Sequence, residues 1–559
     1  MIPYVDLPAQ NRGIEEELVG ALRGVVHDGH LILGAEVERF EERIAAMHRA
    51  PGQAIESNVW AIGVSSGTDA LALALEALGI GPGDEVVTVP NTFVATVAAV
   101  VRRGAIPVFV DVDEHQLLDP GQLPGALTGR TKAIIPVHLN GRPADMTAIM
   151  EIARGAGVPV VEDAAQAIGA SWAGQPVGAF GELGCYSMHP LKNLGALGEA
   201  GIIVGRSQAH RDALWLLRNH GLRDRDTCER WGHNARLHAL QAAFLNVKLD
   251  WLSGWTERRR AIAEIYLTEL AGLPLELPSL RGSEQPVWSG FVIRCDDRDD
   301  LRDALARAGV TTLIYYPAPV HLQPAASALG YRDGDFPVAE RQARRMLSLP
   351  VHADLSDRDV RHVVESVRRY YRSSRACRPP ALPSSAAFTG GIRPMVRGDL
   401  PVVVDIVVAN DSELRAVAAE EIGGAFPDAP GQDAVGSYLV AELEGAVVGV
   451  VGWVPDHFQV PDIRWLAWGY VRPEYQRRGV GAALFDAAEE RLVQLGVRKI
   501  YLDVGNAAEH ESAIAFHTKR GYTLEGSLPD FWADGDDLLI FGKHIGSRQR
   551  GGYRPLSGR

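Results

Sequence analysis

Apolar positions in the first part of the chain follow two rhythms. Ile14, Leu18, Leu22 and the Val25/Val26 pair recur every three to four residues, the spacing of a helix that buries one face. Beyond them come short runs that are apolar at consecutive positions, at 85–90, 106–112, 133–139, 158–162 and 201–204. Helical patterns at 70–78, 92–102 and 145–156 separate them. A strand that is apolar on both faces must be covered on both faces. Such strands alternating with helices predict an α/β fold around a mostly parallel, doubly covered sheet. A long helical pattern over 237–271 leads away from it, and a smaller α/β segment continues to about residue 371. Residues 373–391 are rich in Ser, Pro and Ala with little periodicity and read as a linker. A second unit begins at Ile392-Arg393-Pro394, in which 438–443 and 447–453 flank Glu444-Gly445 as the arms of a hairpin.

Composition narrows the partners. At 559 residues the chain exceeds what one core can organise, and three or four structural domains are expected. A formal net charge of -14 with no basic stripe argues against nucleic acid, and Arg548, Arg550 and Arg554 form only a short tail. Cys185, Cys228, Cys295 and Cys377 are too scattered for a metal or iron–sulfur site. The first residues lack the basic and apolar regions of a signal peptide, and no apolar run spans a bilayer. The expectation is a cytoplasmic enzyme without metal or membrane.

The chemistry starts at Lys192, in Ser187-Met188-His189-Pro190-Leu191-Lys192-Asn193, which follows an apolar stretch. Upstream lies Val160-Val161-Glu162-Asp163-Ala164-Ala165-Gln166. A lysine amine kept partly neutral forms Schiff bases. An acid at the end of a buried strand suits a pyridinium nitrogen, and pyridoxal phosphate requires both. Taken singly, each has a plainer reading: a surface lysine and a helix cap. Ser65-Ser66-Gly67-Thr68 before a helix offers N–H groups and hydroxyls to a phosphate, as any well-capped helix start would.

Taken together and in order, these segments resemble the DegT/DnrJ/EryC1/StrS family of sugar aminotransferases. The resemblance covers residues 1 to about 371, from Ile32-Leu33-Gly34 to His321-Leu322-Gln323-Pro324. It implies a type I pyridoxal-phosphate fold, with a large cofactor-binding domain over 1–250 and a small domain over 251–372. Ser66, Gly67, Thr68 and Ser187 would hold the cofactor phosphate. Phe93 would stack on its ring, and Gln166 would meet the ring hydroxyl. Asp163 would pair with the ring nitrogen, and Lys192 would form the Schiff base and carry the proton. Within Trp231-Gly232-His233-Asn234-Ala235-Arg236, Asn234 would reach the phosphate of a partner in a homodimer. Arg236, Tyr316 and His321 are the expected substrate contacts. Glutamate would donate the amine and a keto-sugar would accept it. Some family members replace the lysine with histidine and dehydrate instead, so its retention favours transamination. Tyr315 stands where histidine is common, Trp288-Ser289 where many members have Tyr-His, and Ala200 where glycine is usual. These departures leave the acceptor open among nucleotide sugars, aminocyclitols and aminobenzoate precursors.

A second chemistry lies in Val471-Arg472-Pro473-Glu474-Tyr475-Gln476-Arg477-Arg478-Gly479-Val480-Gly481-Ala482, between a strand and a helix. Glycines there let backbone N–H groups approach a pyrophosphate. The segment resembles the acetyl-CoA loop of GNAT N-acetyltransferases, over roughly 392 to 545, within a domain at 392–547 and a tail at 548–559. The resemblance implies that Val471, Gln476, Arg477, Arg478, Gly479, Gly481, Ala482 and Asn506 hold acetyl-CoA. His517 occupies the position of a proton-donating tyrosine, with a packed helix histidine as the plainer alternative. The strand at 464–471 has no glutamate to serve as base, leaving His457, Asp462 or an ordered water. The combined expectation is a bifunctional enzyme that aminates a keto-sugar, nucleotide-linked in the commonest case, and then N-acetylates it. The rivals are an acetyltransferase for an unrelated amine and a cofactor-binding regulatory protein.

Overall fold

The computed structural model describes residues 1–49, 58–376, 388, 390–410, 414–424, 438–456, 460–476, 478–505, 511–533 and 536–545. The chain divides into two units, Met1–Ser374 and Arg375–Arg559.

In the first unit, helices α1 (Glu15–Asp28) and α2 (Ala35–Met47) precede strand β1 (Trp60–Val64) and α3 (Gly67–Ala77). Next come β2 (Glu85–Thr88), α4 (Val94–Arg102), β3 (Ile106–Phe109), β4 (Thr131–Ile134) and α5 (Met146–Ala156). Three further strands follow, β5 (Val161–Asp163), β6 (Leu183–Ser187) and β7 (Gly201–Gly205). Two ladders, β3-β2-β4 and β5-β6-β7-β1, are joined by the parallel bridges Ile134↔Val160 and Val137↔Asp163. Adjacent residues Ile202 and Ile203 of β7 bury into different cores. Ile202 packs with Phe40, Ile44 and Leu245, whereas Ile203 packs with Leu71, Leu75 and Val100. Both faces are covered, as the consecutive apolar runs require.

One strand departs from the expected parallel order. β7 runs antiparallel to both β6 and β1. A parallel step needs a crossover, usually a helix, but residues 188–200 contain no helix and return directly. That return is the loop that carries Lys192. Because β5 and β6 are parallel, with Asp163 opposite Cys185, the loop starts beside the carboxylate.

Helix α6 (Ala239–Glu269) leads into a small α/β part, where β8 (Phe291–Arg294) pairs antiparallel with β9 (Met346–Leu349). Its core gathers Tyr266, Phe291, Leu347, Val363 and Val367. Helix α7 (Asp357–Ala376) runs four residues into the stretch read as linker. Ser, Arg and Ala tolerate a helix, and the first residues that cannot continue one are Pro379 and Pro380. Most of that linker, 377–387 and 389, lies outside the described residues.

The second unit is a seven-stranded sheet. Its strands are β10 (Gly391–Pro394), β11 (Tyr438–Leu443), β12 (Ala446–Pro455), β13 (Ile463–Val471), β14 (Lys499–Gly505), β15 (Thr523–Ala533) and β16 (Asp536–His544). They lie in the order β10-β11-β12-β13-β14-β16-β15. Glu444 (φ 51°) and Gly445 (φ 82°) close the expected hairpin with a two-residue turn of positive φ. Helices α8 (Leu400–Asn410) and α9 (Arg415–Gly424) pack over Tyr438, Val440 and Val450. Helix α10 (Val480–Gln494) packs Leu484, Phe485 and Leu492 with Val448, Ile500 and Phe541, and α11 (Glu511–Lys519) follows β14. β13 and β14 are parallel and pair only through Ile463–Lys499, Arg464–Ile500 and Trp465–Tyr501, after which their ladder ends. Among the described residues, no helix is long and apolar enough to cross a membrane.

Candidate active sites

The first site forms where α3 begins. Ser66 caps the helix, its Oγ accepting the Asp69 N–H at 3.1 Å. A Cβ on Gly67 would stand 2.5 Å from the Ser187 Cβ, and one on Gly201 2.3 Å from the Ser66 carbonyl oxygen. Glycine at both positions therefore lets the helix start press against β6 and β7. Ser66, Gly67, Thr68 and Ser187 meet as one patch of hydroxyls and unpaired N–H groups, suited to a phosphate.

Asp163 ends β5 and is buried. Its Oδ2 accepts from Thr96 Oγ1 at 2.7 Å, which leaves the Thr92 hydroxyl to donate to Thr96 Oγ1, also at 2.7 Å. Its Oδ1 accepts from the Ala165 N–H at 3.1 Å. Glu162 beside it is wholly buried and accepts from the N–H groups of Gly178, Phe180 and Gly181 and from His138 Nε2. His138 Nδ1 accepts the Ala144 N–H at 3.0 Å, so the imidazole is neutral with its proton on Nε2. This network ties two loops to the strand end that presents Asp163.

Lys192, half-buried, faces the same space. Burial pulls its pKa below the usual lysine range, and the charges of Asp163 and Glu199 oppose that pull. A cavity of about 420 Å³ is lined by the phosphate patch, Asp163, Lys192, Phe93, Gln166 and Tyr316. The Phe93 ring lies 5.6 Å from that of Tyr316. Gln166 Oε1 accepts the Asn140 N–H at 2.7 Å, and its Nε2 lies 3.4 Å from Tyr316 Oη. Burial pushes the Tyr316 hydroxyl above the ordinary tyrosine range, with Tyr315 and Asp163 adding to it. A buried strand-end carboxylate, an anion patch and a low-pKa lysine around one cavity fit pyridoxal phosphate.

In the second unit, Gly479 (φ 80°) caps α10 in the left-handed region that favours glycine. Gly481 differs. A Cβ there would meet only ordinary contacts, Val471 at 3.7 Å and Phe516 at 3.8 Å. Protein packing does not demand that glycine, whereas a ligand backbone lying on the helix start would. The ladder between β13 and β14 ends at Trp465, and β13 runs on unpaired with β14 to Val471, against which Gly481 lies, so the geometry fits an extended thioester cofactor. Arg478 lies over the Tyr475 ring at 5.4 Å. Gln476 Nε2 donates to Asn410 Oδ1 at 2.7 Å and to the Val471 carbonyl at 3.2 Å, so its side chain braces the loop.

The sequence matches the DegT/DnrJ/EryC1/StrS aminotransferase family over residues 12–368. The chain belongs to this family. A second match, to the acetyltransferase (GNAT) family, covers 412–522. A pleiotropic regulatory protein of Geobacillus stearothermophilus is 41% identical over 375 residues, 66% of this chain and 99% of that protein. A dTDP-3-amino-3,4,6-trideoxy-alpha-D-glucose transaminase of Streptomyces venezuelae is 42% identical over 371 residues, 66% of this chain and 96% of that protein. Among solved structures, that of S. venezuelae DesV in complex with ketimine intermediate has a TM-score of 0.64 at 42% identity, covering 66% of this chain and 98% of that one.

Within this DegT-family aminotransferase fused to a GNAT unit, some expected site residues lie elsewhere. Asn234 is exposed, and Arg236 gives Nη1 to Asn219 Oδ1 at 3.1 Å; neither lines this cavity. His321 corrects the expectation of substrate contact. It is buried at 2% exposure, its Nε2 lies 3.0 Å from Glu340 Oε1, and its ring packs on Phe336. In the GNAT unit His517 is likewise packed, among Phe485, Phe516 and Tyr522, with no partner for Nδ1 among the described residues. Burial, with Arg520 beside it, lowers its pKa to about 4. A neutral, enclosed imidazole suits the packed reading, and the proton-donor role stands as an expectation. Asp462 is held by Arg498 Nε at 2.6 Å, while His457, Arg477 and Asn506 lie outside the described residues.

Sequence reasoning missed Tyr4, Thr96, Asn140 and Arg259 on the aminotransferase cavity. The four-residue spacing of Thr92 and Thr96, inside the helical pattern expected at 92–102, was a usable signal that their hydroxyls meet, although Thr92 lies just before the helix. Tyr4 and Arg259 arrive from distant segments and carried none.

Proposed function

We propose that the chain is a bifunctional enzyme. Its first unit transfers an amino group from glutamate to the keto group of a nucleotide-linked sugar, and its second unit acetylates the resulting amine from acetyl-CoA. The observation that supports this reading is the convergence of Lys192, Asp163 and the Ser66/Gly67/Thr68/Ser187 patch on one cavity. Nucleotide-sugar transaminases among the relatives support the acceptor class. Pyridoxal phosphate, when bound, supplies the electron sink for removing and adding the α-proton. The chain's own residues would do the rest. Asp163, oriented by Thr96 and Ala165, holds the ring nitrogen protonated, and Lys192 anchors the aldehyde and moves the proton. The patch seats the phosphate, Phe93 covers the ring and Gln166 meets its hydroxyl. In the GNAT unit, the N–H groups at the start of α10, with Val471, Arg478, Gly479, Gly481 and Ala482, would hold the pyrophosphate arm.

The aminotransferase is further proposed to act as a homodimer, with exposed Asn234 and neighbouring Arg236 completing the partner's site. Mixing Lys192→Ala with Asn234→Ala subunits should then restore activity through hybrids with one intact site. A fully active monomer would exclude that arrangement. For the whole reaction, the assay is a panel of keto-sugar nucleotides with glutamate and acetyl-CoA, read by mass spectrometry. An acetamido-sugar from one member is expected. Amination with no acetylation of the product would separate the two units' roles. A regulatory protein that merely binds the cofactor would show no change in visible absorbance on adding any amino acid.

A further inference from the structure

Three arginines among the described residues are buried to 6% exposure or less. Two of them are neutralised in the usual way. Arg142 pairs with Glu284 at 2.6 Å, and Arg218 with Glu41. Arg259, on α6, is the exception: no carboxylate lies within ion-pair distance of it among the described residues. Its Nη1 donates to the carbonyls of Trp288 at 3.1 Å and Val351 at 3.3 Å, and its Nε is buried with no acceptor. Burial lowers its pKa to about 10, and the charge of Asp354, beyond ion-pair distance, opposes that only in part. A buried cation is costly unless paired. Among the described residues no carboxylate touches the guanidinium, which leaves room for an anion from outside.

Arg259 lines the aminotransferase cavity, and Lys192 and Arg259 also share the wall of a smaller adjoining pocket with His352, Asp6 and Asp354, neither carboxylate within ion-pair distance of the guanidinium. Lys192 and Arg259 are the lysine and the arginine of the main cavity's lining. The lysine is committed to the cofactor, which leaves the guanidinium. With Nη1 occupied, the remaining edge, Nε and Nη2, is the side-on fork that matches a carboxylate with two parallel N–H bonds.

We propose that Arg259 holds a carboxylate of the amino donor. The proposal rests on the transaminase reading of the first unit. A donor amino acid must bring its α-amine to Lys192, and its α-carboxylate is attached to the same carbon. The anion therefore comes to rest within a few bonds of Lys192, where Arg259 lies. A nucleotide-linked acceptor carries its charge on a diphosphate, remote from the keto carbon and strongly hydrated. Such a group is poorly matched to a guanidinium with 6% exposure.

The test uses the loaded enzyme and glutarate, a dicarboxylate that has no amine and cannot react. Calorimetry should show glutarate binding to the wild type and roughly ten- to hundredfold weaker binding to Arg259→Gln, the loss expected for hydrogen bonds to a charged group. Bleaching of visible absorbance by glutamate should need correspondingly more glutamate. Transfer from amine-loaded enzyme to the sugar acceptor should keep its KM. If Arg259→Gln fails to fold, Arg259→Lys retains a cation at the two carbonyls but lacks the fork, and the same direction of loss is expected. Unchanged glutarate affinity in a folded variant would overturn the inference, as would a raised acceptor KM with donor binding intact. A wild-type enzyme that no amino acid bleaches would instead overturn the transaminase reading.

Discussion

Lys192 works against its surroundings in a measurable way. Burial lowers its pKa while Asp163 and Glu199 hold it up. Removing a negative charge therefore lowers it further, so Glu199→Gln should move the acid limb of cofactor capture by the apo protein to lower pH. Absorbance stopped-flow across pH would check the direction, and an upward shift would contradict it. His517 makes the opposite use of burial. Its pKa in the folded unit is about 4, against an ordinary value near 6.5. Between those values the unfolded chain binds the proton and the folded one does not, so stability falls as pH drops from about 6.5 toward about 4. The linkage amounts to about 3 kcal/mol at most. His517→Phe should flatten the acid dependence of the second unit's melting while leaving acetyl transfer within a few-fold. A hundredfold loss of acetylation with unchanged melting would bear out the proton-donor role.

At the scale of elements, the first site depends on how closely a helix start can approach two strands. Gly67→Ala places a methyl 2.5 Å from the Ser187 Cβ, so α3 must back away from β6. Losing about one charge-assisted hydrogen bond to the phosphate should weaken cofactor binding by roughly tenfold. Cofactor titration of the folded variant reads this directly, and wild-type affinity would show that the patch does not carry the phosphate. The antiparallel return of β7 is the second decisive element, because it replaces a crossover helix with the loop of Lys192. The third is the parting of β13 from β14, which three paired positions begin and no fourth continues.

At the scale of the molecule, each unit has its own core, Met1–Ser374 around the large sheet and Arg375–Arg559 around the second. A fragment starting at about Gly390 should therefore fold and acetylate the amino-sugar made by the first unit. A tether raises local concentration without forming a channel, so splitting the chain should slow the two-step sequence only modestly, chiefly at low enzyme concentration. If the free fragment rejects that amine and accepts an unrelated one, the consecutive-step reading fails.

What the sequence by itself determined was the local chemistry. Consecutive apolar runs marked covered strands, Ser66-Gly67-Thr68 marked a helix start, and the order of Asp163 and Lys192 marked the aminotransferase family, because each depends on residues near one another in the chain. Tertiary structure decided everything that depends on what lies opposite. It enclosed His321 and His517, which local spacing could not distinguish from site residues. It reversed β7, whose apolar run is compatible with either direction. It also brought Tyr4 and Arg259 to a cavity whose other walls are remote in sequence. Burial and partnership are properties of the packed chain, and for Arg259 only the packed chain shows that, among the described residues, no carboxylate lies within ion-pair distance.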